Sequence, residues 1–261
     1  MFRTEYYRLN SKKIKSPVKL VMLADLHNQE YGADNELLLG KIREISPDFV
    51  CLAGDMLIGH TQKSFEPAQR LVRSLAEEFP VFYGLGNHES RMRQDVEIYK
   101  DRYDRYMEPL KKAGVHVLVN ERADITVGEN RFSVFGYDLP QKYFEKFNNY
   151  TFEVKELTDV IGEPGENYSV LLAHNPVYFE QYAAWGADLT LSGHLHGGII
   201  RLPLLGGVIT PQAKLFPRYS AGNYHIGKKE MIVSRGLGTH TIPIRFHNPP
   251  ELSVICLEAQ K

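Results

Sequence analysis

The sequence lacks the features that mark several classes of protein. It has only two cysteines in 261 residues, Cys51 and Cys256, which argues against a disulfide framework and predicts two buried free thiols. No apolar run is long enough to span a membrane, and the first residues lack the apolar core of a signal peptide. These absences predict a cytoplasmic protein. The formal net charge of −1 argues against a nucleic-acid partner.

Linkers and repeats are also missing. No stretch rich in proline, glycine or serine divides the chain, so we expect a single domain over residues 1–261. Nothing in the sequence indicates an oligomeric state. Charge is nevertheless uneven, because Glu230 is the only acid between Leu189 and Pro250. That stretch could attract an anionic ligand or form a solvated basic surface; its basic residues are Arg201, Lys214, Arg218, Lys228, Lys229, Arg235 and Arg245.

Apolar runs alternate with amphipathic ones over the first ninety residues. The runs "VKLVMLA", "DFVCLAG" and "PVFYGLG" predict buried strands, and the segments between them have the apolar spacing of helices. This βαβαβ pattern favours neighbouring parallel strands, whose carboxyl ends are where ligands gather in such sheets.

The remainder of the chain predicts further elements. Arg91–Lys112 is typical of a long surface helix, and the strand-like runs "VHVLVN", "ADITVG" and "RFSVFGYD" suggest antiparallel pairing. Residues 141–159 indicate an amphipathic helical insert, whose aromatic residues either form a lid over a site or, as we favour, pack on the core. Gly197–Lys229 has many glycines and prolines and predicts a long structured loop.

Polar donors follow five of the predicted strands. None of them is a cysteine, and oxygen and imidazole donors suit divalent ions such as Mn²⁺, Fe²⁺ or Zn²⁺. Any one of these residues has an ordinary structural explanation, such as a turn or a helix cap, but their joint placement favours a metal site. The candidate ligands are Asp25, His27, Asp55, Asn87, His174, His194 and His196, with His88 beside them.

The number of donors favours two metal ions. Seven ligands exceed what one tetrahedral ion uses, whereas two ions about 3.5–4 Å apart can share a carboxylate and clamp a phosphate. Asp55 is the natural bridge. In an extended chain the pairs Asp25/His27 and His194/His196 would each point to one side. Glycines flank the second pair, and they let the backbone turn sharply beside bulky ions.

These motifs resemble those of the calcineurin-like metallophosphoesterase family. The resemblance rests on "ADLHN", "GD", "GNHE", the strand end at His174 and "GHLH", and it runs from about Val18 to the end of the chain. It implies a four-layer α/β/β/α sandwich of two mixed sheets, with the metal site at the carboxyl ends of the strands. One ion would be held by Asp25, His27, Asp55 and His196, and the other by Asp55, Asn87, His174 and His194.

The resemblance also implies a mechanism. A hydroxide bridging the two ions would attack phosphorus in line, and His88 would act as general acid or as a donor to the developing charge. Asn28 and Arg235 are weaker candidates for contacting substrate, and Arg235 could instead lock a loop. Many family members have an aspartate four residues after the position of Asp55, where this chain has Gly59.

At the level of the branch, the chain is similar to bacterial cell-envelope phosphodiesterases, including enzymes like UDP-2,3-diacylglucosamine hydrolases. This implies a phosphodiesterase or pyrophosphohydrolase with a small-molecule or lipid-linked phosphate ester as substrate, and Mn²⁺, Fe²⁺ or Zn²⁺ as cofactors. Members commonly carry a membrane anchor or export signal, so a membrane-associated or exported protein is the alternative location. Two other functions stay open, namely a phosphomonoesterase or protein phosphatase, and a catalytically inactive scaffold.

Overall fold

Two six-stranded mixed sheets lie at the centre of the protein. They are seen in a computed structural model that describes residues 1–145, 150–198, 200–202, 206–209, 216–239 and 245–260. In spatial order, the first sheet contains β1 (Arg3–Ser11), β14 (Glu251–Ala259), β2 (Val18–Leu23), β3 (Phe49–Ala53), β4 (Val81–Gly84) and β5 (His116–Leu118). The second contains β12 (Gly222–Ile226), β13 (Lys229–Val233), β9 (Leu189–Ser192), β8 (Tyr168–Leu172), β7 (Asn130–Gly136) and β6 (Glu121–Val127).

Helices cover the outer face of each sheet, which confirms the four-layer prediction. The helices are α1 (Glu36–Ile45), α2 (Glu66–Ala76), α3 (Asn87–Gln94), α4 (Val96–Tyr99), α5 (Arg102–Lys112), α6 (Val154–Ile161) and α7 (Phe179–Trp185), with short 3₁₀ turns at Ala33–Asn35, Gln141–Phe144 and Pro176–Tyr178. Side chains of α1, α2 and α5 pack on the first sheet, and those of α6 and α7 pack on the second. A separate cluster fills the space between the sheets.

Strand β2 shows why the layers form. Its side chains alternate between the two faces of the sheet: Leu20 and Met22 enter the inter-sheet core, while Val21 and Leu23 face the helices. All four are fully buried, and each such side chain contributes about 1.5–3 kcal/mol through burial. A strand buried on both faces reads as a continuous apolar run, which is the pattern that the sequence displays.

Parallel pairing places the strand ends together. Strands β2, β3, β4 and β5 run parallel in the first sheet, and β13, β9, β8 and β7 run parallel in the second. The carboxyl ends of β2, β3, β4, β8 and β9 carry the predicted donors. The antiparallel pairing expected for the middle of the chain holds for β6 with β7 but is wrong for β5, which pairs in parallel with β4; β7 pairs in parallel with β8 on its other side.

Two predictions of secondary structure were wrong. The helix expected over Arg91–Lys112 is divided into α3, α4 and α5, because Asp95 has ψ 61° and Lys100 has φ 55° and neither continues a helix. Part of the loop expected over Gly197–Lys229 is strand: β10 (Ile200–Leu202) pairs with β11 (Gly206–Ile209), and β12 forms a hairpin with β13. Most side chains of β12 are exposed, so this edge strand leaves no apolar pattern in the sequence.

The insert and the cysteines differ in detail from expectation. Among the described residues of 141–159, helix is found in the 3₁₀ turn and in α6, while residues 146–149, which include Phe147, lie outside the described part. Cys51 is buried as expected, whereas Cys256 is half-buried. Within the described ranges, no helix has the length and apolar character needed to cross a membrane.

Candidate metal centre

The predicted donors converge on one pocket at the shared edge of the two sheets. Asp25 and His27 follow β2, Asp55 follows β3, Asn87 begins α3, His174 follows β8, and His194 and His196 follow β9. Within the described residues, three overlapping sets of donors have ligand atoms within 4.8 Å of one another, a spacing that a metal ion could bridge. They are Asp25/His27/His196, His27/Asp55/His88 and Asp55/His174/His194.

Two buried carboxylates lie at the centre of this pocket. Asp25 is fully buried and Asp55 is 3% exposed. Nε2 of His174 lies 3.2 Å from Oδ2 of Asp55 and 3.7 Å from Oδ1 of Asp25. Nδ1 of His174 lies 2.6 Å from the carbonyl oxygen of Ala53, so Nδ1 donates and Nε2 faces the carboxylates.

The imidazoles of His27 and His196 face each other across the pocket. Their Nε2 atoms are 3.2 Å apart, and their rings stack at 5.0 Å with an interplanar angle of 15°. Nε2 of His196 is also 3.5 Å from Oδ1 of Asp25. Two ring nitrogens that point at a common carboxylate form a typical cation site.

The two buried carboxylates of the pocket favour the binding of positive charge. Burial raises the pKa of Asp25 to about 7, partly offset by the charge of His174. Burial also raises the pKa of Asp55, but His174 and His88 outweigh it and hold this pKa well below its usual range. Burial lowers the pKa of His174, yet Asp55 and Asp25 raise it overall to about 10. A protonated His174 therefore balances carboxylate charge that a divalent cation would balance in its place.

The residues fit a divalent metal ion. Oδ1 of Asn87 is buried and accepts no hydrogen bond from any described residue, and a buried polar atom is stable only when it has a partner. The donor set contains carboxylate, amide and imidazole groups, which Mn²⁺, Fe²⁺ and Zn²⁺ all accept. This cluster therefore supports binding of divalent metal.

The backbone at the site is not extended, which corrects one step of the sequence argument. Several donors have φ in the left-handed region, where non-glycine residues are strained by about 1–2 kcal/mol each. The side chains of Asp25/His27 and His194/His196 therefore converge through tight turns and not through the alternation of a strand. The residues concerned are Asp25 (φ 50°), His27 (49°), Asn28 (60°), Asp55 (54°), His194 (71°) and His196 (51°).

Glycines are required where the loops approach the carboxylates. A Cβ atom on Gly193 would lie 2.5 Å from Oδ2 of Asp25, and one on Gly86 would lie 2.1 Å from Oδ1 of Asp55. Gly197 and Gly198 have φ 69° and 86°. These glycines are therefore needed for space at the first two positions and for backbone conformation at the last two.

Glu89 holds the loops that carry Asp55 and Asn87. It is fully buried, and its Oε2 accepts hydrogen bonds from the backbone N–H groups of Asp55 (2.9 Å) and Gly86 (3.0 Å). Its Oε1 accepts from the N–H of Met56 and the hydroxyl of Tyr83. Glu89 therefore both caps the start of α3 and holds the backbone of Asp55.

His88 lies beside the carboxylates. It is 5% exposed, and its Nε2 is 3.9 Å from Oδ2 of Asp55. Its backbone N–H donates to Oδ1 of Asp55 at 2.9 Å, which ties its position to that carboxylate. The N–H of Gly59 donates to Nδ1 of His88, also at 2.9 Å.

The two weaker substrate candidates make structural contacts. Nδ2 of Asn28 donates to the carbonyl of Ser64 at 2.8 Å. Nε of Arg235 lies 3.3 Å from Oε2 of the buried Glu251. This ion pair joins Arg235 to β14, and it favours the loop-locking alternative over contact with phosphate.

Sequence reasoning missed two residues that hold loops beside the site, one at His196 and one at Arg235. Nδ2 of Asn248 donates to the carbonyl oxygens of His196 (2.5 Å) and Gly198 (2.6 Å). Arg245 donates to the carbonyl of Arg235 at 2.7 Å. The only signal for Arg245 was its place in the acid-poor stretch, and Asn248 had none, because its partners are about fifty residues away along the chain.

Comparison with known proteins agrees with this geometry. A family profile described as calcineurin-like phosphoesterase matches residues 18–198. The chain is 28% identical over 244 residues to phosphodiesterase YaeI of Escherichia coli, covering 92% of this chain and 82% of that protein. It is 24% identical over 276 residues to UDP-2,3-diacylglucosamine pyrophosphatase LpxG of Chlamydia muridarum, covering 92% and 84%. The structure of Haemophilus influenzae NAD nucleotidase is similar in fold, with a TM-score of 0.50 at 14% identity, over 84% of this chain and 45% of that one.

Proposed function

The chain belongs to the calcineurin-like phosphoesterase family, and on that premise we propose that it hydrolyses phosphodiesters or pyrophosphates with two divalent metal ions. The observation that carries the proposal is the convergence of five histidines on the two buried carboxylates Asp25 and Asp55. The E. coli and Chlamydia relatives, named as a phosphodiesterase and a pyrophosphatase, support the choice of reaction. A small-molecule or lipid-linked phosphate ester is the substrate class that we propose.

We assign the ligands in two sets that share Asp55. Asp25, His27 and His196 complete one set, and Asn87, His174 and His194 complete the other. The first set is supported by the facing Nε2 atoms of His27 and His196 beside Asp25. The second is supported by the 3.2 Å approach of His174 to Asp55 and by the buried Oδ1 of Asn87.

The residues of the pocket have different roles in the proposed reaction. When bound, the metal ions supply positive charge that activates water and neutralises the phosphate. Asp25, Asp55 and the imidazoles hold that charge in place, and the Glu89 carboxylate keeps the loops of Asp55 and Asn87 from shifting. His88 offers a ring nitrogen at the edge of the pocket, where it can hydrogen-bond a substrate oxygen.

The insert provides one wall of the pocket in this proposal. Tyr143 and Phe152 are buried and pack on Tyr178, as expected for core residues. Phe144 differs, because its ring lies 5.0 Å from that of His194 and 6.2 Å from that of His174. The insert therefore combines the two alternatives: Tyr143 and Phe152 pack on the core, and Phe144 is presented to the metal ligands.

Metal content and substrate preference test the function together. We expect about two Mn²⁺, Fe²⁺ or Zn²⁺ ions per chain by elemental analysis, and faster hydrolysis of bis-p-nitrophenyl phosphate than of p-nitrophenyl phosphate. A clear preference for the monoester would favour the phosphomonoesterase or protein phosphatase alternative. If the protein bound no metal and hydrolysed neither substrate with any of these ions, the alternative of a catalytically inactive scaffold would be supported.

Metal identity and cell location are separate parts of the proposal. Mn²⁺ is our first choice, with Fe²⁺ and Zn²⁺ as alternatives, since supply often decides which ion a site of this type holds. A cytoplasmic location stays a prediction from the sequence. Fractionation of cells that express the protein would test it against a membrane-associated or exported location.

A further inference from the structure

The first sheet ends in an open edge strand. Among the described residues, β1 pairs with β14 alone, in parallel and in continuous register from Arg3 to Ser11. Proline, a bulge or a short length commonly protects an edge strand from association. β1 has nine residues and contains neither a proline nor a bulge. Its free side can therefore pair with another strand along its whole length.

The backbone groups on the free side of β1 belong to alternate residues. The N–H of Arg3 donates to the carbonyl of Pro250. The carbonyl of Ser11 accepts from the N–H of Gln260. Odd-numbered residues of β1 therefore face β14, and the N–H and C=O groups of even-numbered residues point the other way, as the ladder of a parallel pair requires. These outward residues are Thr4, Tyr6, Arg8 and Asn10.

A second copy of β1 fits this edge best in one register. A two-fold axis perpendicular to the sheet makes the two strands antiparallel, and centring it on Tyr7 sets every outward residue opposite another. The four outward residues of each strand then make about eight backbone hydrogen bonds in total. Centring the axis on Tyr6 leaves Asn10 without a partner within the strand. Centring it on Arg8 sets two arginines directly opposite each other, which is destabilising.

The side chains also complement each other in the register centred on Tyr7. Tyr6 lies opposite Arg8 of the second copy, and the symmetry repeats this contact. Both side chains are exposed, that of Tyr6 by 56%, and an arginine over a tyrosine ring is attracted to it. No two like charges are directly opposed along the strand. The edge is therefore complementary to itself in both hydrogen bonding and charge.

We propose that a second copy of this chain binds along β1, so that the first sheets of the two copies join through antiparallel pairing centred on Tyr7. Strand β14 separates this edge from β2, the strand that Asp25 follows. Pairing along β1 therefore requires none of the metal ligands. The inference goes beyond the proposed function and does not rest on it.

Sedimentation velocity of the full chain tests the association. We expect the mass to rise from one chain toward two chains over an about 100-fold increase in protein concentration. Tyr6→Pro removes an outward N–H, a position at which an edge strand tolerates proline, and should weaken the dimer by about 100-fold or more. A parent protein that stays monomeric at every concentration, or a dimer that Tyr6→Pro does not weaken, would overturn the proposal.

The pair formed by Tyr6 and Arg8 gives a test that depends on the sign of charge. Tyr6→Glu places a carboxylate opposite Arg8 of the second copy, and Tyr6→Lys places an ammonium group there. We expect the dissociation constant of the Tyr6→Lys dimer to exceed that of the Tyr6→Glu dimer by about 10-fold or more, because opposed charges attract across strands only when they differ in sign.

The matched controls are Val96→Glu and Val96→Lys, which introduce the same charges at a residue that is 59% exposed on α4. Their dissociation constants should agree within about 2-fold, since charges far from the interface are screened by salt. A difference between the controls as large as that between the two Tyr6 variants would show that net charge is responsible, and would contradict the register.

Disulfide trapping locates the register directly. Cys256 is first replaced by Cys256→Ser, because it lies beside Arg8 across β1 and β14. In that background, chains with Tyr6→Cys and chains with Arg8→Cys should form a disulfide-linked dimer only when mixed, because directly opposed Cα atoms are about 5.5 Å apart and diagonal ones about 7–8 Å. A linked dimer of the Tyr6→Cys chain alone would contradict the proposed register.

Discussion

Glu89 accepts hydrogen bonds from the backbone N–H groups of Asp55, Met56 and Gly86. We expect Glu89→Gln to lower the free energy of unfolding by about 1–3 kcal/mol, because one carboxylate oxygen becomes an NH₂ group that faces N–H donors. Metal affinity should fall by about 10–100-fold, as is usual when a group that orients metal ligands is lost. Urea unfolding of metal-free protein and titration with Zn²⁺ measure the two effects separately.

The matched control for this prediction is Glu97→Gln. Glu97 lies exposed in α4, so the same change of charge should leave both quantities within about 0.5 kcal/mol of the parent. Equal effects of the two substitutions would show that the loss of one negative charge, and not the hydrogen bonds to Asp55 and Gly86, is responsible.

At this scale the sequence predicted the donors but not what orients them. Asp25, Asp55 and the histidines could be found because each follows an apolar run, and strand ends in an α/β sheet meet at one edge. The hydrogen bonds of Glu89 to Asp55 and of Asn248 to His196 join residues 34 and 52 positions apart. Such contacts leave no local pattern, so only the folded chain reveals them.

Among the elements, those buried on both faces were the most predictable. Strands β3 and β4 are buried at every position and β2 at every position except Lys19, and all three appear in the sequence as apolar runs. The division of the segment after His88 into α3, α4 and α5 depends on the backbone of Asp95 and Lys100, and neither residue type breaks a helix by itself. Strand β12 is formed by pairing with β13, and because most of its side chains are exposed it leaves no hydrophobic pattern in the sequence.

The insert offers a prediction at the scale of an element. Phe144→Ala should remove an aromatic contact with substrate, worth about 0.5–1.5 kcal/mol. We therefore expect kcat/KM for bis-p-nitrophenyl phosphate to fall about 2–10-fold relative to that for p-nitrophenyl phosphate, because the diester has a second ring to place. Steady-state kinetics at fixed Mn²⁺ measure this ratio.

Tyr6→Ala is the control for this substitution, because it removes an aromatic ring that is 56% exposed on β1. It should leave the ratio unchanged. If Phe144→Ala also leaves the ratio unchanged while the protein stays folded and binds metal, the insert forms no wall for substrate and Phe144 only packs on His194.

For the whole molecule, we propose that residues 1–261 form one domain. Strand β14 lies between β1 and β2, so the two ends of the chain share a sheet. The two sheets share the core between them, and each contributes ligands to the same pocket. Neither sheet can therefore unfold without exposing apolar surface of the other and separating the donors.

This coupling makes metal binding a property of the folded molecule. The donors come from five strand ends and cannot be held together by the unfolded chain, so metal stabilises the folded state by mass action. At metal concentrations of about 100 times Kd the gain is about 2.7 kcal/mol, which raises Tm by about 5–10 °C in a domain of this size. Removing the metal leaves Asp25 and Asp55 buried side by side with less positive charge to compensate them.

Calorimetry in chelator and in increasing Zn²⁺ or Mn²⁺ should show one transition whose midpoint rises with the logarithm of metal concentration. A midpoint that is the same in chelator and in excess metal would mean that these donors hold no ion.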